Sequence, residues 1–404
     1  MQRSVILISG MLATTAICIQ MAGAATNYVD RYGANPVPNY TNWATAATNI
    51  QDAVDVAAVG NTVLVSNGVY DTGAKITPSY ALTNRVCVTA AITVRSVNGP
   101  NSTFIKGQPS PETGGMGTGA VRCVYLAGGA SLIGFTLTNG YTMADGVSGG
   151  NPGGGGVMVQ TSGTVSNCVM TGNYAWSGGG GGALLSSGGT LNNCVISNNY
   201  ADGYGGGVYL LSGATMNNCI VITNRSRIFG GGVCMNYSSE ANNCLIAGNI
   251  TSNYGGGAFL WNSPVRLNSC TIAGNDGSPQ AGGGLYFYLC SASLTNCIVW
   301  GNTTTGSSSS NIVNASSTLT FSYTCSGPVQ AGTGNTGSDP LFVGQAAMDY
   351  RLTKDSPCVN AGIYQGWMTD ADDIDGHRRL DKFSGIVDLG CYEYIPRGTL
   401  FKVP

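Results

Sequence analysis

The chain has 404 residues, only 9% of them charged, with a formal net charge of −2, 62 glycines and 14 cysteines. An ordinary soluble domain carries about 25% charged residues, so nothing here supplies the basic field that nucleic acid requires or a polybasic patch for anionic lipid. After residue 24 no stretch reaches the roughly 18 apolar residues of a membrane span, and the expected product is a monomer that neither crosses a membrane nor binds nucleic acid.

Residues 1–24 combine Arg3, an apolar run from Val5 to Ile19 and the small residues Ala22, Gly23 and Ala24. That order of features predicts a secretory signal peptide, and the mature protein is expected outside the cell or on its surface. From Tyr28 the chain reads as loop, then as an amphipathic helix over 46–58 with Ile50, Ala53, Val54 and Ala57 on one face, ended by Gly60. The run Asn49-Ile-Gln-Asp-Ala-Val-Asp55, followed by Gly60-Asn-Thr-Val-Leu-Val-Ser-Asn-Gly-Val-Tyr70, resembles the opening of pectin-lyase-like β-helix proteins. The resemblance implies a helix that caps the first coil. A cap is also a physical need, because a bare first coil exposes apolar core and a row of unpaired strand groups.

Short strands are predicted at 62–65, 85–88, 92–97, 103–105 and 122–126, and 132–139 aligns with the later repeats so that Phe135 takes a cysteine's place. The glycine-rich stretch 146–156 reads as an inserted flexible loop.

A repeat then begins. Cys168, Cys194, Cys219, Cys244, Cys270 and Cys297 follow one another at steps of 26, 25, 25, 26 and 27 residues. Self-similarity at that period marks a stacked solenoid. Five residues after each cysteine stands an asparagine, Asn173, Asn199, Asn224, Asn249, Asn275 and Asn302. Stacked coils would set these side chains about one strand spacing apart, ~4.8 Å, so that each amide bonds its turn and the next amide in a structural ladder. Glycine runs follow at 180–182, 205–207, 230–232, 255–257 and 282–284. They permit tight turns and close backbone approach; with no Lys-Ser or Lys-Thr behind them they are not phosphate loops. Then come alternating strands beginning at Val208, Val233, Ala258 and Leu285, and a small apolar patch at Leu191, Met216, Ala241, Leu267 and Leu294. Three short strands per coil with no helix between them predict an all-β fold, a right-handed parallel β-helix with three faces and coils of about 25 residues. In it the cysteines are small buried apolar residues. The 13 mature cysteines are an odd number, and the expectation is mostly free thiols with Cys358 and Cys391 as the one pair. The phrases Gly-Gly-Ala-Leu184, Ile-Ser-Asn-Asn199 and Ile-Ala-Gly-Asn249 resemble repeats of the polymorphic outer-membrane proteins, which implies a surface β-helix.

The β-helix is expected to occupy 25–327, with Ser322 in the last cysteine position. A Gly, Ser and Thr-rich linker at 328–338 and a small domain at 339–404 follow. The motifs Asp339-Pro-Leu-Phe342, Ser356-Pro-Cys-Val-Asn-Ala-Gly362 and Val387-Asp-Leu-Gly-Cys-Tyr-Glu393 resemble the C-terminal domain of choice-of-anchor β-helix proteins, which implies attachment at the cell surface.

Polysaccharide lyases on such a scaffold need a Lys or Arg base, usually beside a Ca2+ held by carboxylates, and hydrolases need clustered acids. Between 167 and 302 there are six charges and no lysine. Glu240 and Arg266 occupy one column on adjacent coils, as do Asp202 and Arg227, so four of the six read as surface pairs. The turn carrying Asp370, Asp372, Asp373 and Asp375 resembles half a calcium loop, with Ala371 where the first ligand belongs; it reads as a solvated turn or as a Ca2+ site. His377 is the single histidine and has no nucleophile in its motif. Alternation turns Tyr209, Phe259, Trp261, Tyr286 and Tyr288 outward on one face, as a platform for sugar rings unless the C-terminal segment folds back over them. The reading is a carbohydrate-binding or adhesin-like surface protein without catalysis and without a cofactor, Ca2+ excepted, whose partner is a polysaccharide or cell-surface glycan. The alternative is a polysaccharide lyase or glycoside hydrolase acting on uronate-containing glycans, built on Lys75, Arg85, Arg95, Lys106 and Arg122 of the early coils.

Overall fold

The computed structural model describes residues 24–143, 153–176, 178–262, 264–278, 282–305, 310–380 and 385–396. Residues 1–23, nearly all of the segment expected to be a signal peptide, and residues 144–152, which hold most of the expected glycine-rich insertion, lie outside the described residues.

One regular coil contains Thr190–Asn192, Val195–Ser197, Tyr200–Ala201 and Val208–Leu210. Repetition of these segments builds a first sheet of eleven strands, a second and a third of ten strands, and a short ladder of six two-residue strands between the second and third. Coils pair in parallel and in step: Leu191 lies beside Met216, Ile196 beside Val221, Ala201 beside Ser226 and Leu210 beside Met235. The fold is thus the expected parallel β-helix with three faces, plus a short ladder before the glycine run that two-residue strands are too brief to announce by alternation.

The recurring Asn-Asn-Cys phrase has a distinct job for each residue. The first asparagine ends the strand and donates its amide to the same residue of the preceding coil, as in Asn217 to Asn192 at 3.0 Å and Asn242 to Asn217 at 2.9 Å. The second turns the corner in the left-handed region, with φ of 52° at Asn193, 55° at Asn218 and 52° at Asn243, a conformation that asparagine tolerates better than most residues. The cysteine then points inward. Cys194 Sγ donates to the carbonyls of Asn192 and Val165 at 3.3 and 3.6 Å, and burial pushes the Cys168 thiol up to about 11. All 13 described cysteines are buried and free.

Two expectations need correction. Cys358 and Cys391 are not paired, because Cys358 packs with Ile298, Cys325 and Leu389 whereas Cys391 packs with Leu245, Ala273 and Tyr350. The last cysteine position belongs to Thr324 and not Ser322. Ser322 pairs with Thr295, two residues before Cys297, and the buried Thr324 hydroxyl repeats the thiol's bonds, to Ser322 and Leu294 carbonyls at 3.1 and 3.5 Å.

The ladder asparagines are buried and fully engaged. Asn224 Nδ2 donates to Asn249 Oδ1 at 3.1 Å and to the Ile196 carbonyl at 2.9 Å. Its own Oδ1 accepts from the backbone and side chain of Asn199, both at 3.0 Å. Asn224→Ala is expected to cost about 1–3 kcal/mol, since it leaves the Asn199 amide and the Ile196 carbonyl buried without partners. The midpoint of chemical denaturation reads this directly, and an unchanged midpoint would remove the ladder from the account.

The first coil is closed by the helix Ile50–Val56, shorter than expected. The Gln51 amide mimics a strand, accepting from Cys87 N at 2.7 Å and donating to Cys87 O at 3.2 Å. The stretch read as loop from Tyr28 begins inside the strand Thr26–Val29, the first of the first sheet, paired with Thr62–Val65.

After 326 the chain folds back across the outer surface of the second sheet. Tyr350 and Cys391 pack on Leu245, Ala247 and Ala273. Asn296 exchanges bonds with Ile363, its Nδ2 to the carbonyl at 2.7 Å and its Oδ1 from the amide at 2.8 Å. Among the described residues this segment covers the second sheet and leaves the ring-bearing third sheet uncovered.

Candidate functional site

On the third sheet the outward column reads Tyr209, Cys234, Phe259, Tyr286 in register, and a second outward column reads Asn236, Trp261, Tyr288. Alternation therefore aims the five expected aromatics away from the solenoid's interior. Their exposure differs from the expectation of an open ledge: Tyr209 and Phe259 are 7% and 4% exposed, while Tyr288 is 43% exposed.

The cover comes from three rings that the alternation argument does not reach. Tyr204, Phe229 and Tyr254 stand directly before their glycine runs and are joined by parallel bridges from coil to coil. Each following glycine has φ between 57° and 69° and reverses the chain, so the ring before it lies over the strand after it. Tyr204 stacks on Tyr209 at 5.4 Å and on Phe229 at 5.0 Å, and Phe229 meets Phe259 at 4.6 Å. Tyr254 meets Tyr286 at 4.8 Å, and Trp261 lies parallel to Tyr204 at 5.9 Å. The result is a cleft of about 300 Å³ with rings on every side. Phe259, 4% exposed, is its most buried lining ring, and Tyr204, Phe229, Tyr254, Trp261, Tyr286 and Tyr288 complete the lining; Tyr209 stacks on Tyr204 and does not line it. The missed rings had a legible signal, since 204, 229 and 254 repeat at the 25-residue step.

The polar groups of this cleft are unusual for so apolar a lining. Among the described residues the hydroxyls of Tyr204, Tyr254, Tyr286 and Tyr288 make no hydrogen bond within the chain, and Trp261 Nε1 is buried without a partner. It lies near Tyr209 Oη and Cys234 Sγ without hydrogen-bond geometry to either. Burial raises the Tyr204 and Tyr286 hydroxyls above the ordinary phenol range, so they stay protonated donors at neutral pH. No charged side chain lines the cleft. Each aromatic contact adds roughly 0.5–1.5 kcal/mol beyond area burial, enough to hold the walls in place before any ligand arrives.

The other residues singled out in the sequence are dispersed. Asp373 is fully buried with its carboxylate on backbone amides, Oδ1 accepting from Asp375 at 2.9 Å and His377 at 2.7 Å, and Oδ2 from Glu393 at 2.8 Å. Asp372 faces Arg378 at 3.4 Å, and Asp370 and Asp375 are exposed. Among the described residues no group of three or more His, Cys, Asp or Glu side chains is placed to hold a metal ion, and of these four it is the Asp373 carboxylate that accepts from the turn's amides.

Of the early-coil cations, Arg85 is buried against the carbonyls of Lys106 and Gly73 at 2.9 and 2.8 Å. Arg122 is fully buried and bonds Gly153 and Gly154 carbonyls and Asn84 at 2.8–2.9 Å; burial lowers it to about 9. Lys75 pairs with Asp55 at 2.7 Å, and Arg95 and Lys106 are exposed on the first and second sheets. The five do not converge on one site. In the array, the pairs expected from spacing form: Arg227 grips Asp202 with two bonds at 2.6 and 2.9 Å, and Arg266 meets Glu240 at 2.8 Å.

A family model described as "Right handed beta helix region" matches residues 122–264. Among solved structures the chain is similar to the pectate lyase Pel9A, with 16% identity and a TM-score of 0.52 over 93% of this chain and 97% of that one. It also aligns with the pectin methylesterase PemA from Erwinia chrysanthemi, at 14% identity and a TM-score of 0.40 over 79% of this chain and 92% of that one. The A-module of the mannuronan C-5 epimerase AlgE4 from Azotobacter vinelandii aligns at 16% identity and a TM-score of 0.39, over 77% and 90%. No curated protein matches the sequence. The family match and the first of these structures fix the fold as a right-handed parallel β-helix.

Proposed function

We propose that this chain is a secreted or surface-held carbohydrate-binding protein whose ligand enters the ring-lined cleft of the third sheet. The observation that carries the reading is the pairing of aromatic rings with unpartnered tyrosine hydroxyls in one preformed cleft. Sugar rings present an apolar C–H face and an equator of hydroxyls, and ligand sites of that kind are mostly apolar with a few placed polar groups. The support comes from the cleft and not from the scaffold, since one fold hosts unrelated activities. Binding without catalysis is favoured because no carboxylate or cation lines the cleft, and glycoside cleavage needs an acid and a base flanking the bond. The leader-like composition of 1–24 supports export.

The test is retention on insoluble polysaccharides. Tyr254→Ala with Tyr288→Ala removes one ring from each rim and is expected to abolish retention while leaving the melting temperature within a few degrees, as both rings are partly exposed. Retention that survives in the double variant would place binding elsewhere.

A further inference from the structure

The geometry points to an uncharged sugar residue as the ligand of this cleft, with uronates rejected. This inference rests on the carbohydrate-binding reading above and adds the class of sugar.

Three features of the cleft carry it. Its lining contains four tyrosines, two phenylalanines and a tryptophan, with no cation to meet a carboxylate. The cation closest in sequence to the wall, Arg227, stands two residues before Phe229 and is already held by both oxygens of Asp202 at 2.6 and 2.9 Å. A uronate would have to surrender its carboxylate hydration to ring walls, at a cost of several kcal/mol without a paired charge. Opening the Asp202–Arg227 pair to supply one would strand Asp202, whose side chain is only 12% exposed.

The donors present suit the opposite chemistry. The hydroxyls of Tyr204, Tyr254, Tyr286 and Tyr288 match sugar hydroxyl groups, since each of these groups both donates and accepts, whereas a carboxylate only accepts and carries a charge that nothing in the lining balances. The volume of about 300 Å³ lies at the lower end for ligand sites, so the cleft accommodates a chain end or side branch of a neutral glycan one residue at a time.

Affinity electrophoresis of the whole chain tests this, in gels carrying a neutral glucan, mannan or xylan and in gels carrying polygalacturonate or alginate. Retardation by at least one neutral polymer is expected, unchanged up to about 0.5 M salt where exposed charges are screened, with none by the uronate polymers. In Tyr288→Lys a cation is placed at the exposed rim. That variant should be retarded by a uronate polymer and should lose about ten-fold in affinity for the neutral one, a difference of ~1.4 kcal/mol. Uronate retardation of the wild-type chain equal to or stronger than the neutral one would overturn the inference, as would a Tyr288→Lys variant that folds normally and leaves both responses unchanged. Retardation of the wild type by none of these polymers would instead overturn the carbohydrate reading itself.

Discussion

Gly231→Ala is expected to destabilise the solenoid by about 3 kcal/mol or more, at the upper end of what overpacking costs. A Cβ at this position would lie 2.5 Å from the carbonyl oxygens of both Gly256 and Ile250. These atoms belong to the next coil's own glycine run and short strand, both locked in ladders, so neither can give way. The same collision recurs at Gly206, with Arg225 and Gly231 carbonyls at 2.3 and 2.4 Å, and at Gly256, with Asp276 and Gly283 carbonyls at 2.4 Å. Close approach is the requirement at all three, and none has a positive φ. Gly213→Ala is the control: φ there is +78° but nothing lies within 4 Å, so only the left-handed strain of about 1 kcal/mol should appear. Equal denaturation midpoints for Gly231→Ala and Gly213→Ala would show that the glycine runs are not packed as described.

Arg379→Ala is expected to release the C-terminal segment from the second sheet. The guanidinium is fully buried, donates to Asn243 Oδ1 at 3.2 Å, to the carbonyls of Gly390 and Asp388 at 2.9 and 3.2 Å, and faces Glu393 at 3.3 Å. Removing it leaves Asn243 Oδ1 and the carbonyls of Gly390 and Asp388 buried without this donor, at roughly 1–3 kcal/mol for each buried acceptor left unsatisfied. The pH dependence has a definite sign. Burial, opposed by Arg379, raises Glu393 to about 8, above the ~4.3 of an unfolded glutamate. The docked state therefore holds the proton more tightly; its contribution is full below about pH 4.3 and is lost as pH rises through about 8. Hydrogen exchange over 340–396 should accelerate in Arg379→Ala while the solenoid's amides stay protected, and the acceleration should grow as pH rises through about 8, where Glu393 ionises in the wild type and loses its partner in the variant. Protection of 340–396 equal to wild type at neutral pH would contradict this assignment.

How much of this was legible in the sequence follows from the range of each interaction. The cysteine and asparagine columns repeat at one coil's length, so the stacked fold, the ladder and the Asp202–Arg227 and Glu240–Arg266 pairs could be read from spacing alone. Thr324 was misplaced because the last strand, Thr318–Ser322, runs longer than those of the regular coils and the register there is set by pairing and not by motif. The docking of Arg379 on Asn243 joins residues 136 apart, and no local pattern announces such a contact. The cleft was half legible. Alternation gave the rings that point outward, but not Tyr204, Phe229 and Tyr254, which sit in turns where alternation has no meaning. Their rings convert a ledge into an enclosure.

The most direct measurement is a crystal structure of the chain with a neutral oligosaccharide present at saturating concentration. The account predicts one sugar ring between Tyr254 and Tyr288, above Phe259, with hydroxyls in reach of the tyrosine Oη atoms. An empty cleft with the sugar ordered elsewhere on the solenoid would contradict it.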